Sequence, residues 1–313
     1  MSEIKILHVS DVHIYGPDVK INNFTSADNL LVSMAKYLSS HCKGETIKRV
    51  NQAIINHASD VDYIVITGDL ISCPTDFSLE AAEKFVKGGR LIHAKLDITL
   101  QPLPLDKLII APGNHDTYDR SGVYSAPTNG NFEEFFSQHE FPHFKIDCDR
   151  KVGFLIADFN LEYASDASAV TPGASLGQGK VYKCRIKELE RHIREIRRQC
   201  VDIRHLILVS HYPPLYNYAL TDWGLNLLKE ETLLSFLEEN KVGVVLAGHS
   251  HNSRKYSIRD GNVHVLCAGA AGVFPNACMH KITINLPKTG NITSGTIGIK
   301  HLNWNKYKSD FSD

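Results

Sequence analysis

Five short apolar runs along the chain share one ending. Ile4-Lys5-Ile6-Leu7-His8-Val9-Ser10 leads into Asp11-Val12-His13, Tyr63-Ile64-Val65-Ile66-Thr67 into Gly68-Asp69, and Leu108-Ile109-Ile110-Ala111-Pro112 into Gly113-Asn114-His115-Asp116. Leu206-Ile207-Leu208-Val209-Ser210 is followed by His211, and Val242-Gly243-Val244-Val245-Leu246-Ala247 by Gly248-His249-Ser250-His251. Near-continuous β-branched and aliphatic runs of this length predict strands buried on both faces. Each predicted strand stops at a small residue and is followed by side chains of the kinds that hold ions.

Helical spacing fills the intervals. From Glu45 to Ala58 the apolar positions Ile47, Val50, Ile54 and Ala58 form one stripe. Shorter helices are predicted at Ser78 to Lys87 and Asn131 to His139, and longer ones at Cys184 to Cys200, with Ile186, Leu189, Ile193 and Ile196 on one face, and at Glu230 to Asn240, with Leu233, Leu234 and Leu237. Strands alternating with helices imply parallel pairing with helices packed outside the sheet. Past His251 the pattern changes: Ser253 to Arg259 and Asn262 to Ala268 flank the turn signal Asp260-Gly261, and Met279 to Leu286 and Ile297 to Asn303 predict further strands. The expectation is an α/β chain in which 252–313 completes an antiparallel or mixed second sheet. Three long connections, 117–130, 162–180 and 212–228, are of a length that is uncommon without a functional reason.

Composition narrows the classes. The 34 Lys+Arg against 35 Asp+Glu leave a net charge of −1, so no global field draws the chain to nucleic acid or an anionic membrane. Five arginines between Arg185 and Arg198 are interleaved with Glu188, Glu190 and Glu195 at helical ion-pair spacing, which reads as a solvated face. No apolar stretch approaches the roughly 20 residues that cross a bilayer. Met1-Ser2-Glu3-Ile4-Lys5 enters the first strand without a basic segment or a long apolar centre, so a cytoplasmic location is expected. Seven Cys without a CxxC pair suggest reduced, mostly buried thiols.

Of 16 His, five fall at strand ends where ligands are needed, and the other eleven, His8 among them, are expected in the core or at the surface. Parallel α/β sheets collect ligands at the carboxyl ends of their strands. There the chain places Asp11, His13, Asp69, Asn114, His211, His249 and His251, an oxygen and nitrogen set suited to zinc, manganese or iron. Seven candidates exceed what one ion needs and argue for two divalent or trivalent metal ions. Asp69, one of only two carboxylates in the set, is the natural bridge. Gly68, Gly113 and Gly248 precede ligand positions and allow close approach of backbone to an ion.

Two divalent cations bring about +4, and two carboxylates with a bridging hydroxide about −3, so the centre is slightly cationic and attracts an anion. A hydroxide acidified by metal is a nucleophile for phosphorus, which points to phosphate-ester hydrolysis. His115, adjacent to Asn114 but not needed for coordination, is placed to protonate the leaving oxygen, with Asp116 to orient its ring. Arg120 is a candidate for the phosphate oxygens, and Tyr212, Tyr216 and Trp223 for stacking on a base or aryl group.

In motif order and spacing, Asp11-x-His13, Gly68-Asp69, Gly113-Asn114-His115-Asp116, His211 and Gly248-His249-x-His251 resemble the calcineurin-like metallophosphoesterases. The resemblance runs from residue 4 to about 255. It implies a four-layer α/β/β/α sandwich of two mixed sheets, in one metallophosphoesterase domain over 1–313. It further implies one metal on Asp11, His13, Asp69 and His251 and a second on Asp69, Asn114, His211 and His249, with His115 beside the leaving group. The compact pattern also looks like the class III cyclic-nucleotide phosphodiesterases. The tyrosine that purple acid phosphatases carry shortly after Gly-Asp has no counterpart, since Leu70, Ile71, Ser72 and Cys73 follow Asp69. The expected activity is hydrolysis of a small phosphomonoester or phosphodiester. A nuclease is disfavoured by the neutral charge, and a non-catalytic binding module by the presence of every candidate ligand.

Overall fold

The structure is a computed structural model that describes residues 2–15, 44–72, 75–93, 96–117, 141–161, 177–216, 226–273, 276–288, 292, 296–305 and 310–312. The helix expected at 131–139 and most of the three long connections, with Arg120 and Trp223, lie outside these residues. In chain order the strands are β1 (Ser2–Val9), β2 (Tyr63–Thr67), β3 (Gly89–His93), β4 (Leu96–Leu100), β5 (Leu108–Ala111), β6 (His143–Asp147), β7 (Val152–Ile156), β8 (Gly179–Lys180) and β9 (His205–Val209). Then come β10 (Leu227–Leu228), β11 (Val242–Ala247), β12 (Arg254–Ile258), β13 (Val263–Cys267), β14 (Cys278–Leu286), β15 (Ile297–Asn305) and β16 (Asp310–Ser312). The helices are α1 (Gly44–Ala58), α2 (Asp76–Lys87), the single turn α3 (Asn114–Thr117), α4 (Lys183–Gln199) and α5 (Glu230–Glu239).

The five motif-bearing runs are divided between two sheets. One has the order β16-β15-β14-β1-β2-β5 and holds the first three runs; the other has the order β12-β13-β11-β9-β7-β6 and holds the last two. Pairing is parallel among β1, β2 and β5 and among β7, β9, β11 and β13. In the second sheet, alternate side chains reach opposite cores, as the two-residue period of a strand requires. Phe154, Ile156, Ile207, Val209, Val244 and Leu246 join the core shared with the first sheet. Their neighbours Leu155, Leu206, Leu208, Val245 and Ala247 pack with Ile186, Leu189, Ile193 and Ile196 of α4 and with Leu233, Leu234 and Leu237 of α5. Ile47, Val50 and Ile54 of α1 and Phe77, Ala82 and Phe85 of α2 cover the first sheet. The layers are therefore α/β/β/α.

Helix boundaries have local causes. Thr75 caps α2 reciprocally with Ser78, whose backbone N–H donates to Thr75 Oγ1 at 3.1 Å while the Thr75 N–H donates to Ser78 Oγ at 2.8 Å. Gly88 ends the helix at φ +80°, a value that suits a residue without Cβ. On α4, Arg198 grips Glu195 at 2.5 and 2.9 Å, in keeping with a solvated ionic face. Among the described residues, no helix is long and apolar enough to cross a membrane.

The expectation for the tail needs correction. The hairpin at Asp260-Gly261 forms and extends the second sheet as β12 and β13. Strands β14, β15 and β16, however, return to the first sheet, where β14 pairs antiparallel with β1 from Ser2↔Leu286 to His8↔His280. The reason is an unmet edge: β2 occupies one side of β1, and without β14 the other side would present a row of unpaired backbone groups. The hairpins β3–β4 and β6–β7 were not visible in the apolar pattern. β3, β4 and β6 are half-exposed and lack the continuous apolar run that marked the others.

Candidate metal centre

The carboxyl ends of both sheets converge, and backbone hydrogen bonds hold their loops together. The loop after β1 is bonded to the loop after β2 through Asp11 N–H to Gly68 O at 3.1 Å and His13 N–H to Asp69 O at 2.9 Å. The loop after β13 crosses to the first sheet, with Ala271 N–H donating to Ser10 O at 2.9 Å and Gly272 N–H to Asp11 O at 3.2 Å. Five candidate ligands occupy left-handed backbone: Asp11 (φ 52°), His13 (50°), Asp69 (53°), His249 (66°) and His251 (54°). Such conformations are uncommon for side chains other than glycine and concentrate at functional sites.

All seven candidate ligands come together. On one side, His13 Nε2 and His251 Nε2 stand 3.0 Å apart, with Asp11 Oδ1 3.2 Å from His251 Nε2 and 3.7 Å from His13 Nε2. On the other, His211 Nε2 lies 3.0 Å from His249 Nδ1 and 3.1 Å from Asn114 Oδ1. Asp69 lies between, its Oδ2 3.3 Å from His211 Nε2 and 3.8 Å from His13 Nε2. Asp11 with His13 and His251, and Asp69 with His211 and His249, form groups whose donor atoms lie within 4.8 Å of one another.

The donor set fits a pair of cations. Imidazole nitrogens and carboxylate oxygens of different chain segments converge on common points, as ligands around cations do. Asp11 Oδ1 is buried without a hydrogen-bond partner, a costly state for a carboxylate that a cation would relieve. The ligands are also oriented from behind. His211 Nδ1 donates to Thr67 O at 2.7 Å, which turns Nε2 toward Asp69. His249 N–H donates to Asp11 Oδ2 at 3.1 Å.

Glycine is required where the loops pack most tightly. A Cβ at residue 113 would stand 2.2 Å from Asp69 Oδ1, and one at residue 248 would stand 1.8 Å from Ser10 Oγ. Side-chain exposure is 0–2% at Asp11, His13, Asp69 and His211 but 12% at His115 and 32% at His251, so access is from the side of these two histidines.

Electrostatics couple the groups. Burial raises the Asp11 carboxyl, but His251 and His13 outweigh it and hold the group well below the usual carboxylate range. Burial likewise opposes ionisation of Asp69, and His211 and His115 overcome it. The Asp69 charge lifts His211 to about 9 against burial, whereas burial and the neighbouring His211 push His249 down to about 3.

His115 Nε2 lies 3.9 Å from Asp69 Oδ2. Its ring, however, is not oriented by Asp116. His115 Nδ1 donates to Ser72 O at 2.6 Å, the carbonyl being able only to accept. Asp116 instead accepts three backbone N–H groups, from Asp69 at 2.8 Å and Gly113 at 2.9 Å through Oδ2 and from Ile71 at 3.1 Å through Oδ1. Its side chain points to the backbone that carries the ligands, because three converging donors outbid one imidazole. Burial, with the Asp69 charge beside it, pushes this carboxyl up to about 7.

Tyr212 also departs from expectation. It is fully buried, its ring centroid lies 4.8 Å from that of His249 and 5.2 Å from that of His211, and its hydroxyl donates to Asn160 Oδ1 at 2.8 Å. It backs the candidate ligands and offers no open face for stacking. Tyr212→Phe is expected to lower stability by about 1–2 kcal/mol through the unsatisfied Asn160 carbonyl while leaving metal content unchanged; thermal melts with metal analysis check this. Tyr216 is half-buried beside Tyr256, with the Arg254 guanidinium 5.3 Å from its ring centroid. The apolar pattern does not single out Asn160, Ser10 and Thr67, yet they brace the loops of the candidate ligands: Asn160 Nδ2 donates to Gly113 O at 3.3 Å and Ser10 Oγ to Thr67 O at 3.1 Å. Polar residues that bond neighbouring backbone carry no spacing signal.

Comparison with known proteins agrees with this fold. The family model of the calcineurin-like phosphoesterases matches residues 4–253, and the chain belongs to that family. No curated protein matches it at significant similarity. Among solved structures, the chain is similar to a dimetal phosphatase from Danio rerio, with 12% identity, a TM-score of 0.54, and 96% of this chain and 99% of that one covered. It is also similar to a purple acid phosphatase from yellow lupin seeds, with 16% identity, a TM-score of 0.56, and 90% of this chain but 49% of that one covered. At these identities the likeness concerns the fold.

Proposed function

We propose that the chain is a dinuclear metal-dependent hydrolase of small phosphoesters. The reading rests chiefly on the position of Asp69 between two groups of buried ligands, with His115 facing the same carboxylate. Asp11, His13, Asp69 and His251 would hold one cation, and Asp69, Asn114, His211 and His249 the other. Manganese, iron and zinc all accept such donors. When bound, the cations supply Lewis acidity toward a phosphoryl oxygen and acidify a water.

The chain's own residues then divide the work. Asp69 keeps the two ligand groups in register, and the Ser72 carbonyl fixes the His115 tautomer so that Nε2 faces the opening. Burial pushes the His115 imidazole down to about 4, while the adjacent Asp69 charge acts the other way; an anionic ester beside Nε2 reinforces Asp69 and favours the protonated ring that can donate to a departing alkoxide.

The test is hydrolysis of p-nitrophenyl phosphate and bis-p-nitrophenyl phosphate by manganese-loaded protein. Cleavage of either, abolished by a chelator, is expected; no cleavage of either, together with tight binding of a protein partner, would favour an interaction module. His115→Ala is expected to retain its metal and lose roughly 10²–10⁴-fold in turnover, the scale of a proton donor. Equal metal loss in this variant and in Asp69→Asn would make His115 a ligand instead.

A further inference from the structure

A second group of potential ligands lies on the tail strands, beyond the 4–253 segment that the family model matches. Cys278, His280 and His301 each offer one donor atom, and the three donors lie within 4.8 Å of one another. Register brings them together: His280 pairs with His301 across β14 and β15, and Cys278 lies two positions from His280 on the same face of β14. Cys278 and His280 are buried, whereas His301 is exposed, so the group opens to solvent through His301.

We propose that Cys278, His280 and His301 form a separate mononuclear site for a thiophilic divalent cation, of which zinc is the type. One sulfur and two imidazoles are a softer donor set than the carboxylates and imidazoles of the dinuclear centre, and such sets select zinc. Tetrahedral bonds of about 2.0–2.3 Å place donors roughly 3.3–3.7 Å apart, so small side-chain rotations suffice to close the group.

Two features support a ligand here. Ser253 Oγ lies 2.7 Å from His280 Nε2 and 3.0 Å from His301 Nδ1, so this one oxygen can accept from both rings, and each ring then keeps a lone pair on its second nitrogen. Outer hydrogen bonds of this kind orient metal-bound imidazoles. The remaining nitrogen of His280, Nδ1, is buried without a hydrogen-bond partner, a cost that coordination removes. Burial keeps His280 neutral by pushing it down to about 4, so a lone pair is available at neutral pH. Burial also pushes the Cys278 thiol up to about 11, so binding must release its proton and strengthens as pH rises. Because Ser253 is two residues past His251, a cation here would anchor the loop that carries two ligands of the main centre to β14 and β15.

The site is read with cobalt, because sulfur bonded to cobalt gives a near-ultraviolet charge-transfer band that oxygen and nitrogen ligands do not, and none of the proposed dinuclear ligands is a cysteine. The whole chain, stripped and reloaded with cobalt, is expected to show this band. Cys278→Ser is expected to lose it together with one equivalent of bound metal. His301→Ala, at an exposed position where the fold tolerates truncation, is expected to weaken metal binding by at least 10-fold and the band with it. Absence of the band in the unmodified chain, or its retention at full intensity in either variant, overturns the proposal. The reading does not depend on phosphoesterase activity, so its failure and that of the proposed function are separately visible.

Discussion

Asp69→Asn is expected to remove metal from both halves of the centre and to lower turnover by at least about 10³-fold, the scale on which loss of a principal electrostatic element acts. Asp69 is the residue whose donor atom falls near ligands of both groups, 3.3 Å from His211 and 3.8 Å from His13. An amide there is a neutral, weaker donor and cannot balance two cations. The substitution keeps the shape of the side chain, and the amide oxygen can still accept the His115 N–H that now reaches Oδ1 at 2.9 Å. The loss of the charge that lifts His211 should nevertheless lower the stability of the metal-free protein at neutral pH. Mass-spectrometric metal analysis beside steady-state kinetics checks the outcome, and a variant that retains two metals while losing turnover would remove Asp69 from the bridging position.

The second large effect is on folding. Asp116→Ala leaves the N–H groups of Asp69, Ile71 and Gly113 without their acceptor in a buried setting. At about 1–3 kcal/mol for each unsatisfied group, with partial relaxation, the loss is about 3–6 kcal/mol. That is a large share of the roughly 5–15 kcal/mol that holds a typical domain folded. Asp116→Asn, which keeps one oxygen, should lose about half as much. Urea denaturation of metal-free protein measures both. A group that merely oriented His115 would leave the denaturation midpoint unchanged and affect only turnover.

What the sequence disclosed follows from what local pattern can encode. Strand ends bearing Asp-x-His, Gly-Asp, Gly-Asn-His-Asp and Gly-His-x-His were legible because ligand types must follow the strands that aim them. The division of the five runs between two sheets was not, since a strand buried on both faces reads the same in either sheet. Nor was the return of β14 to β1, which depends on an edge that exists only after β1 and β2 have paired. Asp116 and Tyr212 stand beside the candidate ligands but do other work there than their residue types suggest. Their types fit ring orientation and stacking equally well, and only the burial of Tyr212 and the three N–H donors around Asp116 decide. The group of Cys278, His280 and His301 left no trace in spacing, because His301 reaches the other two through strand register.

The most direct test of the central claim is the anomalous scattering of crystals grown with manganese. Two peaks roughly 3.5–4 Å apart, with the Asp69 carboxylate between them and Asn114, His211 and His249 around one of them, are the predicted result. A single peak, or an Asp69 carboxylate turned away from both ions, would contradict the account.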